Sequence, residues 1–221
     1  MAEPAPPLLV LLLHGYARTR RDMASLAVAI DAAGHRPLAV PLPTTFGRLD
    51  DCLAALRQTA LPAIRQQLAA GGAYALVGHS FGGLIARHGL ARGLPQPAAL
   101  LTIATPHQGS ELADLALRWP ALGRILPPLD CLQTGTQTPC FDPPRAFRIG
   151  AIAGDHAAPP GGLLLHGPND GRVTVASALP LDADCSCILP LDHHRIHHHA
   201  STLQAVCRFL GGGRLSLPRP T

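Results

Sequence analysis

Short apolar runs alternate with longer segments of helical periodicity along most of this chain. The runs have strand length and are bounded by proline, glycine or polar residues, which is typical of buried strands. They cover residues 8–13, 36–41, 74–77, 98–104, 147–153 and 185–189. Helical spacing is found at residues 20–33, 49–70, 81–92, 110–118 and 200–210. This alternation predicts an α/β fold, with a mostly parallel sheet and helices on both of its faces.

Residues 106–146 interrupt the alternation with a proline-rich segment whose one predicted helix is that at 110–118. We expect this segment to form either a small cap over a site or a long surface loop. Pro62 is expected to break or kink the helix at 49–70, because proline removes a helical hydrogen bond. Residues 1–7 read as a loose proline-rich tail. No linker divides the chain, so a single domain over residues 1–221 is expected.

One stretch carries a recognisable chemical pattern, Gly78-x-Ser80-x-Gly82, placed between a predicted strand and a predicted helix. A serine held on such a sharp turn lifts its hydroxyl clear of the sheet, and the positions two residues away must lack bulk. The start of the next helix aims free amide groups at the same point. The chain has 22 glycines, so an ordinary turn is the alternative. The strand before and the helix after favour a nucleophile elbow.

Composition narrows the class of protein. The chain has 221 residues, of which 47% are hydrophobic and 14% charged, as in a globular protein with a full core. The net charge is +4 and all 18 basic residues are arginine. Since they are scattered rather than clustered on one stripe, no nucleic-acid partner is expected. The apolar run at 8–13 is too short to cross a membrane, so no integral membrane segment is expected and a cytoplasmic protein is favoured.

The six cysteines are spread without a C-x-x-C repeat, which argues against a disulfide framework or a zinc site built on cysteine. Cys131 and Cys140 could pair if the protein were exported, and the sequence leaves this open.

A serine nucleophile needs a base, a group that orients the base, and donors for the developing oxyanion. Two carboxylates follow predicted strands or apolar segments after the elbow, Asp170 in an Asn-Asp-Gly turn and Asp155. Two histidines follow the last predicted strand, His193 and His194. The order serine, acid, histidine is therefore available, with either acid and either base.

Five short stretches in this order resemble the small lipase and esterase group of the α/β-hydrolase superfamily, over nearly the whole chain. They are Leu13-His14-Gly15-Tyr16, Gly78-His79-Ser80-Phe81-Gly82-Gly83, Ala104-Thr105-Pro106-His107-Gln108-Gly109-Ser110, Asn169-Asp170-Gly171-Arg172-Val173 and Leu189-Pro190-Leu191-Asp192-His193. The resemblance implies the α/β-hydrolase fold with a small cap or loop insertion at 106–146.

The resemblance also implies roles for individual residues. Ser80 would be the nucleophile, Asp170 the acid and His193 the base. Asp170 is preferred to Asp155 for its Asn-Asp-Gly-x-Val context, and His193 to His194 for its distance from the closing helix. The oxyanion hole would use the backbone N–H groups of Phe81 and Tyr16. The stretch from Thr105 to Ser110 matches a family signature that is usually structural, and His14 and His79 are expected to shape the site by hydrogen bonding.

The expected reaction is hydrolysis of carboxylic esters through an acyl-enzyme, without a cofactor, on a small-molecule acyl ester or a lipid. A thioesterase, an amidase or an acyltransferase could use the same groups, and a binding module could keep the fold without the chemistry. The oligomeric state is left open. Apolar residues of the 106–146 segment would line an acyl pocket or pack on the core: Leu112, Leu115, Leu117, Trp119, Leu122, Ile125 and Leu126.

Histidines crowd the end of the chain at positions 193, 194, 197, 198 and 199. His194 and His198 have the i, i+4 spacing of two metal ligands on one helix face. No carboxylate stands at a matching helical spacing. A catalytic histidine followed by a solvated, histidine-rich helix start is therefore favoured, and no metal site is expected.

Overall fold

The computed structural model describes residues 7–157 and 159–215, so most of the predicted tail at 1–7 lies outside the described residues. Within them, six strands form one sheet in the order β2-β1-β3-β4-β5-β6, and every pairing is parallel. The strands are β1 (Leu9–Leu13), β2 (Arg36–Val40), β3 (Tyr74–His79), β4 (Ala99–Ile103), β5 (Arg148–Gly154) and β6 (Cys185–Leu189). The predicted α/β fold is thereby confirmed.

Helices cover both faces of the sheet. They are α1 (Ala24–Ala32), α2 (Leu49–Ala69), α3 (Phe81–Ala91), α4 (Glu111–Leu117), α5 (Pro120–Ile125), α6 (Val175–Ala178) and α7 (Ala200–Leu210). The alternate residues Leu9, Leu11 and Leu13 of β1 pack in a core with α2 and α3. Val10 and Leu12 pack with α1 and α7 on the other face. β1 is therefore apolar throughout, because the side chains on both faces of the strand are buried.

Two predicted helices differ in detail from those observed. The segment predicted as a helix at 20–33 begins with a 3₁₀ turn, Arg20–Met23, before α1. Pro62 lies inside α2, which continues on both sides of it, so of the expected break or kink the break does not occur. The flanking Ala60 and Ile64 are fully buried against the core, and this packing holds the helix across the missing hydrogen bond.

The segment at 106–146 contains more helix than its prolines predict. Besides α4 it holds α5 and a 3₁₀ helix, Pro127–Leu132. Prolines stand at the first positions of both, where no amide hydrogen is needed. Ser110 caps α4 by accepting the N–H of Leu112 at 3.3 Å. The segment is thus a compact set of short helices.

A buried ion pair joins this segment to α3. Arg87 of α3 donates from both terminal nitrogens to the two carboxylate oxygens of Asp182, at 2.8 and 2.7 Å. Both side chains are 1% exposed. Arg87 also donates to the carbonyl of Pro139, and Asp182 accepts the N–H of Phe141 at 2.8 Å. The pair therefore fixes the last part of the segment against α3.

All six cysteines lie in the described part of the chain, and each is a free thiol. The pairing of Cys131 with Cys140, which the sequence left open, is not formed. Burial raises the pKa of the Cys131 thiol to about 11 and that of Cys52 to about 12. None of the helices in residues 7–157 and 159–215 combines the length and apolar character that crossing a bilayer requires.

Candidate active site

The serine of the glycine-flanked turn lies where β3 turns sharply into α3. Ser80 has φ 52° and ψ −125°, a conformation that residues with a side chain rarely adopt. A Cβ at Gly82 would overlap the carbonyl oxygen of Leu13, and a Cβ at Gly78 would overlap the backbone at the start of α3. The turn therefore requires glycine at both positions, and it holds the serine in a strained backbone.

The structure brings the side chains of Ser80, His193 and Asp170 together. Nε2 of His193 is 3.0 Å from Oγ of Ser80, and Nδ1 is 2.7 Å from Oδ2 of Asp170. The side chains of His193 and Asp170 are 7% and 1% exposed, so water screens their contact weakly. With Nδ1 donating to the carboxylate, Nε2 presents its lone pair to the serine hydroxyl. Such an arrangement can accept the proton of Ser80 during nucleophilic attack.

Backbone groups fix the Asp170 carboxylate. Its Oδ1 accepts the N–H groups of Arg172 and Val173 at 3.0 and 2.8 Å. The N–H of His193 donates to the carbonyl oxygen of Asp170 at 2.9 Å. The acid and the histidine are thus joined by backbone as well as side chain, which leaves Oδ2 directed at the imidazole.

The alternative acid lies elsewhere. Asp155 follows β5, and its N–H donates to the carbonyl of Leu189 at 3.1 Å, but its side chain is exposed to solvent. The structure therefore places the carboxylate of Asp170, rather than that of Asp155, against His193.

The alternative base faces two arginines instead of the serine. Nδ1 of His194 is 2.6 Å from a terminal nitrogen of Arg18, and Nε2 accepts from Nε of Arg172 at 3.1 Å. Burial and the charge of Arg172 lower the pKa of His194. This histidine belongs to the rim of the site.

The two residues offered by the sequence as oxyanion donors both lie beside Ser80. Phe81 is the first residue of α3, where N–H groups have no acceptor within the helix. Tyr16 follows β1 and lines the same cavity as Ser80. A Cβ at Gly15 would stand 3.1 Å from the Cβ of Ser80, so the backbone leading to Tyr16 passes close to the serine.

His14 holds the loop after β1 in place by hydrogen bonding, as the sequence predicts. Its Nε2 accepts the N–H of Leu42 at 3.2 Å, and its Nδ1 lies 3.2 Å from the carbonyl oxygen of Gly15. Thr44 donates to the same carbonyl oxygen at 2.9 Å. Burial lowers the pKa of His14, which favours the neutral ring that these contacts need.

A cavity of about 430 Å³ opens above the serine. One wall is apolar and comes mostly from the 106–146 segment: Leu112, Ala113, Ala116, Leu126, Leu129, Leu132 and Val173. The opposite rim is polar and holds Arg18, Arg172 and His194. The cavity can therefore take a molecule that has an apolar and a polar part.

Comparison with known proteins decides the family. The sequence model of the alpha/beta hydrolase family matches residues 10–209. This chain belongs to the alpha/beta hydrolase family. Among curated proteins, none matches the sequence.

Several solved structures share the fold of this hydrolase at low identity. The mature form of lipase BlEst2 from Bacillus licheniformis is 24% identical, with a TM-score of 0.73 over 95% of this chain and 93% of that one. Phospholipase PlaB from Legionella pneumophila is 21% identical, with a TM-score of 0.63 over 78% of this chain and 45% of that one. The metagenomic carboxyl esterase MGS0156 is 17% identical, with a TM-score of 0.58 over 87% and 66%.

The histidine-rich stretch is only partly the solvated helix start that the sequence predicts, because His198 and His199 are exposed but His197 is not. His197 is 1% exposed and stacks on the ring of His79, with centroids 3.8 Å apart. His79 in turn donates from Nε2 to the backbone carbonyl of His193 at 3.1 Å, as expected of a residue that shapes the site. Burial holds the pKa of His79 well below its usual value, and the neighbouring histidines lower it further. His79 and His197 therefore pack against each other next to His193.

His194 and His198, whose spacing the sequence offered as a metal pair without favouring it, lie apart. His194 points to the arginines of the rim, whereas His198 lies 3.6 Å from Asp22, a carboxylate of the 3₁₀ turn before α1. The two histidines do not share a helix face, because residues 196–198 form a 3₁₀ turn and α7 begins at residue 200. Local spacing could not reveal Asp22 as a neighbour, since it is distant in sequence.

The signature from Thr105 to Ser110 has structural contacts. Nε2 of His107 is 3.2 Å from Oγ1 of Thr102, and burial lowers the pKa of His107 to about 3. Gly109 has φ 81°, and a Cβ there would overlap the backbone of Gln133. The stretch thus leads the chain tightly from β4 into the helices over the cavity.

Proposed function

We propose that this hydrolase cleaves carboxylic esters, with Ser80 as nucleophile, His193 as base and Asp170 as the acid that orients the base. The observation that carries the proposal is the double contact of one imidazole, 3.0 Å from the serine oxygen and 2.7 Å from the carboxylate. This imidazole and Ser80 line a cavity with one apolar wall, which supports an acyl substrate. The similar structures named above are a lipase, a phospholipase and a carboxyl esterase, which agrees with this class of reaction.

In the proposed reaction, Oγ of Ser80 forms a bond to the ester carbonyl carbon while Nε2 of His193 takes the hydroxyl proton. The carbonyl oxygen becomes an oxyanion that accepts from the N–H groups of Phe81 and Tyr16. The bond to the alcohol then breaks, and His193 returns its proton to the leaving oxygen. Water repeats the sequence on the acyl-enzyme and releases the acid. Each oxyanion donor is worth roughly 3 kcal/mol of barrier, and no cofactor is needed.

We assign the 106–146 segment as the cap over this site. Its apolar side chains Leu112, Ala116 and Leu126 face the cavity beside Ser80 and would hold the acyl chain. Trp119 is 70% exposed and does not line the cavity. Only some of the apolar residues that the sequence offered for an acyl pocket therefore line it.

Ala116→Phe should shorten the preferred acyl chain. The larger ring would fill cavity volume and exclude about two methylenes, each worth roughly 0.8 kcal/mol on burial. We expect the ratio of kcat/KM for an octanoyl ester to that for a butyryl ester to fall roughly tenfold. Ala121→Phe is the matched control, since Ala121 is an exposed residue of the same segment and does not line the cavity. An equal ratio in both variants would place the acyl chain elsewhere.

The proposed reaction is tested by hydrolysis of p-nitrophenyl esters of increasing chain length, together with labelling by a fluorophosphonate probe. We expect turnover of at least one ester and covalent labelling at Ser80. Absence of both would refute the proposal. Rates on a matched oxyester and thioester then separate an esterase from a thioesterase, and added alcohol tests acyl transfer.

We also propose a cytoplasmic location, on the ground that all six thiols are free and disulfides are rare in reducing compartments. Cell fractionation tests this directly, and recovery of the protein outside the cytoplasm would contradict it.

A further inference from the structure

Two imidazoles and one carboxylate converge behind the candidate active site. Asp22 lies on the 3₁₀ turn Arg20–Met23, and His197 and His198 end the 3₁₀ turn Ile196–His198. Nε2 of His197 is 3.0 Å from Oδ2 of Asp22, and Nε2 of His198 is 3.6 Å from Oδ1. The three donor atoms lie within 4.8 Å of one another.

The contact of His197 with Asp22 is a hydrogen bond, but the three distances together also fit ligands around a common ion. The contact of His198 at 3.6 Å is too long for a hydrogen bond. Donor atoms held about 2.0–2.2 Å from a tetrahedral zinc ion stand roughly 3.3–3.6 Å apart, and the two imidazole nitrogens lie 3.0 and 3.6 Å from the two oxygens of Asp22, near that spacing. The consecutive rings of His197 and His198 are 3.9 Å apart at their centroids, which would be unfavourable if both were protonated.

The surroundings suit a metal ligand set. Nδ1 of His198 is 3.3 Å from Oγ of Ser25, and an outer partner of this kind orients a ligating imidazole. His197 and Asp22 are 1% and 14% exposed, whereas His198 is 39% exposed and leaves one side open to solvent.

We propose that Asp22, His197 and His198 bind one divalent transition-metal ion, zinc in the first place, with water completing its coordination. Two imidazoles with one carboxylate favour zinc and its neighbours over magnesium or calcium, which prefer oxygen ligands. The positive charge of Arg18 near Asp22 disfavours a cation at this site.

The ion would have a structural role. None of its three ligands is among the groups that contact Ser80 or Asp170. His197 stacks on His79, and His79 holds the backbone carbonyl of His193. The ion would therefore tie the segment that carries His193 to the turn before α1, and support the position of that histidine through His79.

The test measures zinc binding to the full chain, free of any histidine tag and treated with chelator, by isothermal titration and by the shift in melting temperature. We expect one equivalent of zinc to bind and to raise the melting temperature. Asp22→Asn keeps an acceptor for the hydrogen bond of His197 but removes the charged ligand, and His198→Gln removes an exposed ligand with little loss of packing. Each should weaken zinc binding at least about tenfold, since loss of even an outer-shell partner typically costs 10–100-fold.

Two control variants separate this site from adventitious binding by surface histidines. His156→Gln alters an exposed histidine on another loop, and His194→Gln alters the rim histidine beside Arg18. Both should bind zinc as the unmodified chain does, while magnesium should not compete. Absence of saturable zinc binding, or equal affinity in Asp22→Asn and the unmodified chain, would overturn the proposal. The measurement does not use ester hydrolysis, so its outcome is independent of the proposed reaction.

Discussion

Ser80→Ala is expected to lower kcat for ester hydrolysis by ~10⁶-fold, because removal of the nucleophile in a serine hydrolase leaves only binding and oxyanion stabilisation. The melting temperature should change little, since the variant loses one hydroxyl and keeps the backbone. Steady-state rates on the best p-nitrophenyl ester and a thermal melt give the two readouts. Ser186→Ala is the matched control, because Ser186 is an exposed residue of β6, and it should keep the full rate. Retained hydrolysis in Ser80→Ala would refute the proposed nucleophile.

The same assay decides between the alternative acids. Asp170→Asn should lower kcat by ~10⁴-fold, because an amide at this position no longer favours the imidazole tautomer that presents its lone pair to the serine. Asp155→Asn should keep its activity, since the Asp155 side chain is exposed and the Asp170 carboxylate is the one 2.7 Å from His193. The reverse outcome, with the larger loss in Asp155→Asn, would assign the acid to β5.

The meeting of the three candidate side chains was easier to predict from the sequence than the contacts around them, because each candidate stands in a short local pattern. The turn at Ser80 needs glycine at positions 78 and 82 because a Cβ at either position would overlap backbone atoms. Both glycines belong to one five-residue sequence pattern. The place of Asp170 follows from an Asn-Asp-Gly turn, and that of His193 from its position after the last strand. Parallel strands bring their carboxyl ends to one edge, so three distant residues could be expected to meet.

Local sequence patterns did not predict the contacts between segments that are distant along the chain. His197 reads as a solvated histidine at a helix start, yet its ring is buried between His79 and Asp22. The sequence predicts one helix in the 106–146 segment, as a small cap or a long surface loop, but three of its prolines stand in the first turns of two further helices, where proline is tolerated. In each case the deciding partner comes from another part of the fold, and a single sequence does not show it.

The partner of Arg87 is the clearest example, and it carries the largest expected effect on stability. Nothing in the helix that follows the turn at Ser80 predicts a buried cation, and Asp182 lies 95 residues away. Asp182→Ala should lower the free energy of unfolding by about 3–5 kcal/mol, because it leaves the guanidinium buried without a counter-charge. For a chain of this length that corresponds to a fall in melting temperature of roughly 10 °C. Urea denaturation and a thermal melt measure the two quantities.

The matched control is the exposed ion pair between Arg92 and Asp50, whose side chains are 50% and 77% exposed. Asp50→Ala should cost less than about 1 kcal/mol, because solvent screens the pair. Replacing both buried partners, Arg87→Met with Asp182→Leu, should recover part of the loss, since no unpaired charge remains. Equal costs for Asp182→Ala and Asp50→Ala would contradict a structural role for the buried pair.

The pH dependence of stability provides a second measurement of the same pair. Burial by itself would raise the pKa of Asp182, but the hydrogen bonds and charge of Arg87 outweigh it, and the pKa lies below its ordinary value. A carboxyl group with a lowered pKa stabilises the fold above its ordinary pKa, and this contribution disappears as the pH falls through the folded-state value. The unmodified chain should therefore exceed Asp182→Asn in stability at neutral pH, and the difference should narrow below about pH 4. A difference that stayed constant into acid would mean that the charge of Asp182 does not stabilise the fold, and that its hydrogen-bond geometry alone does.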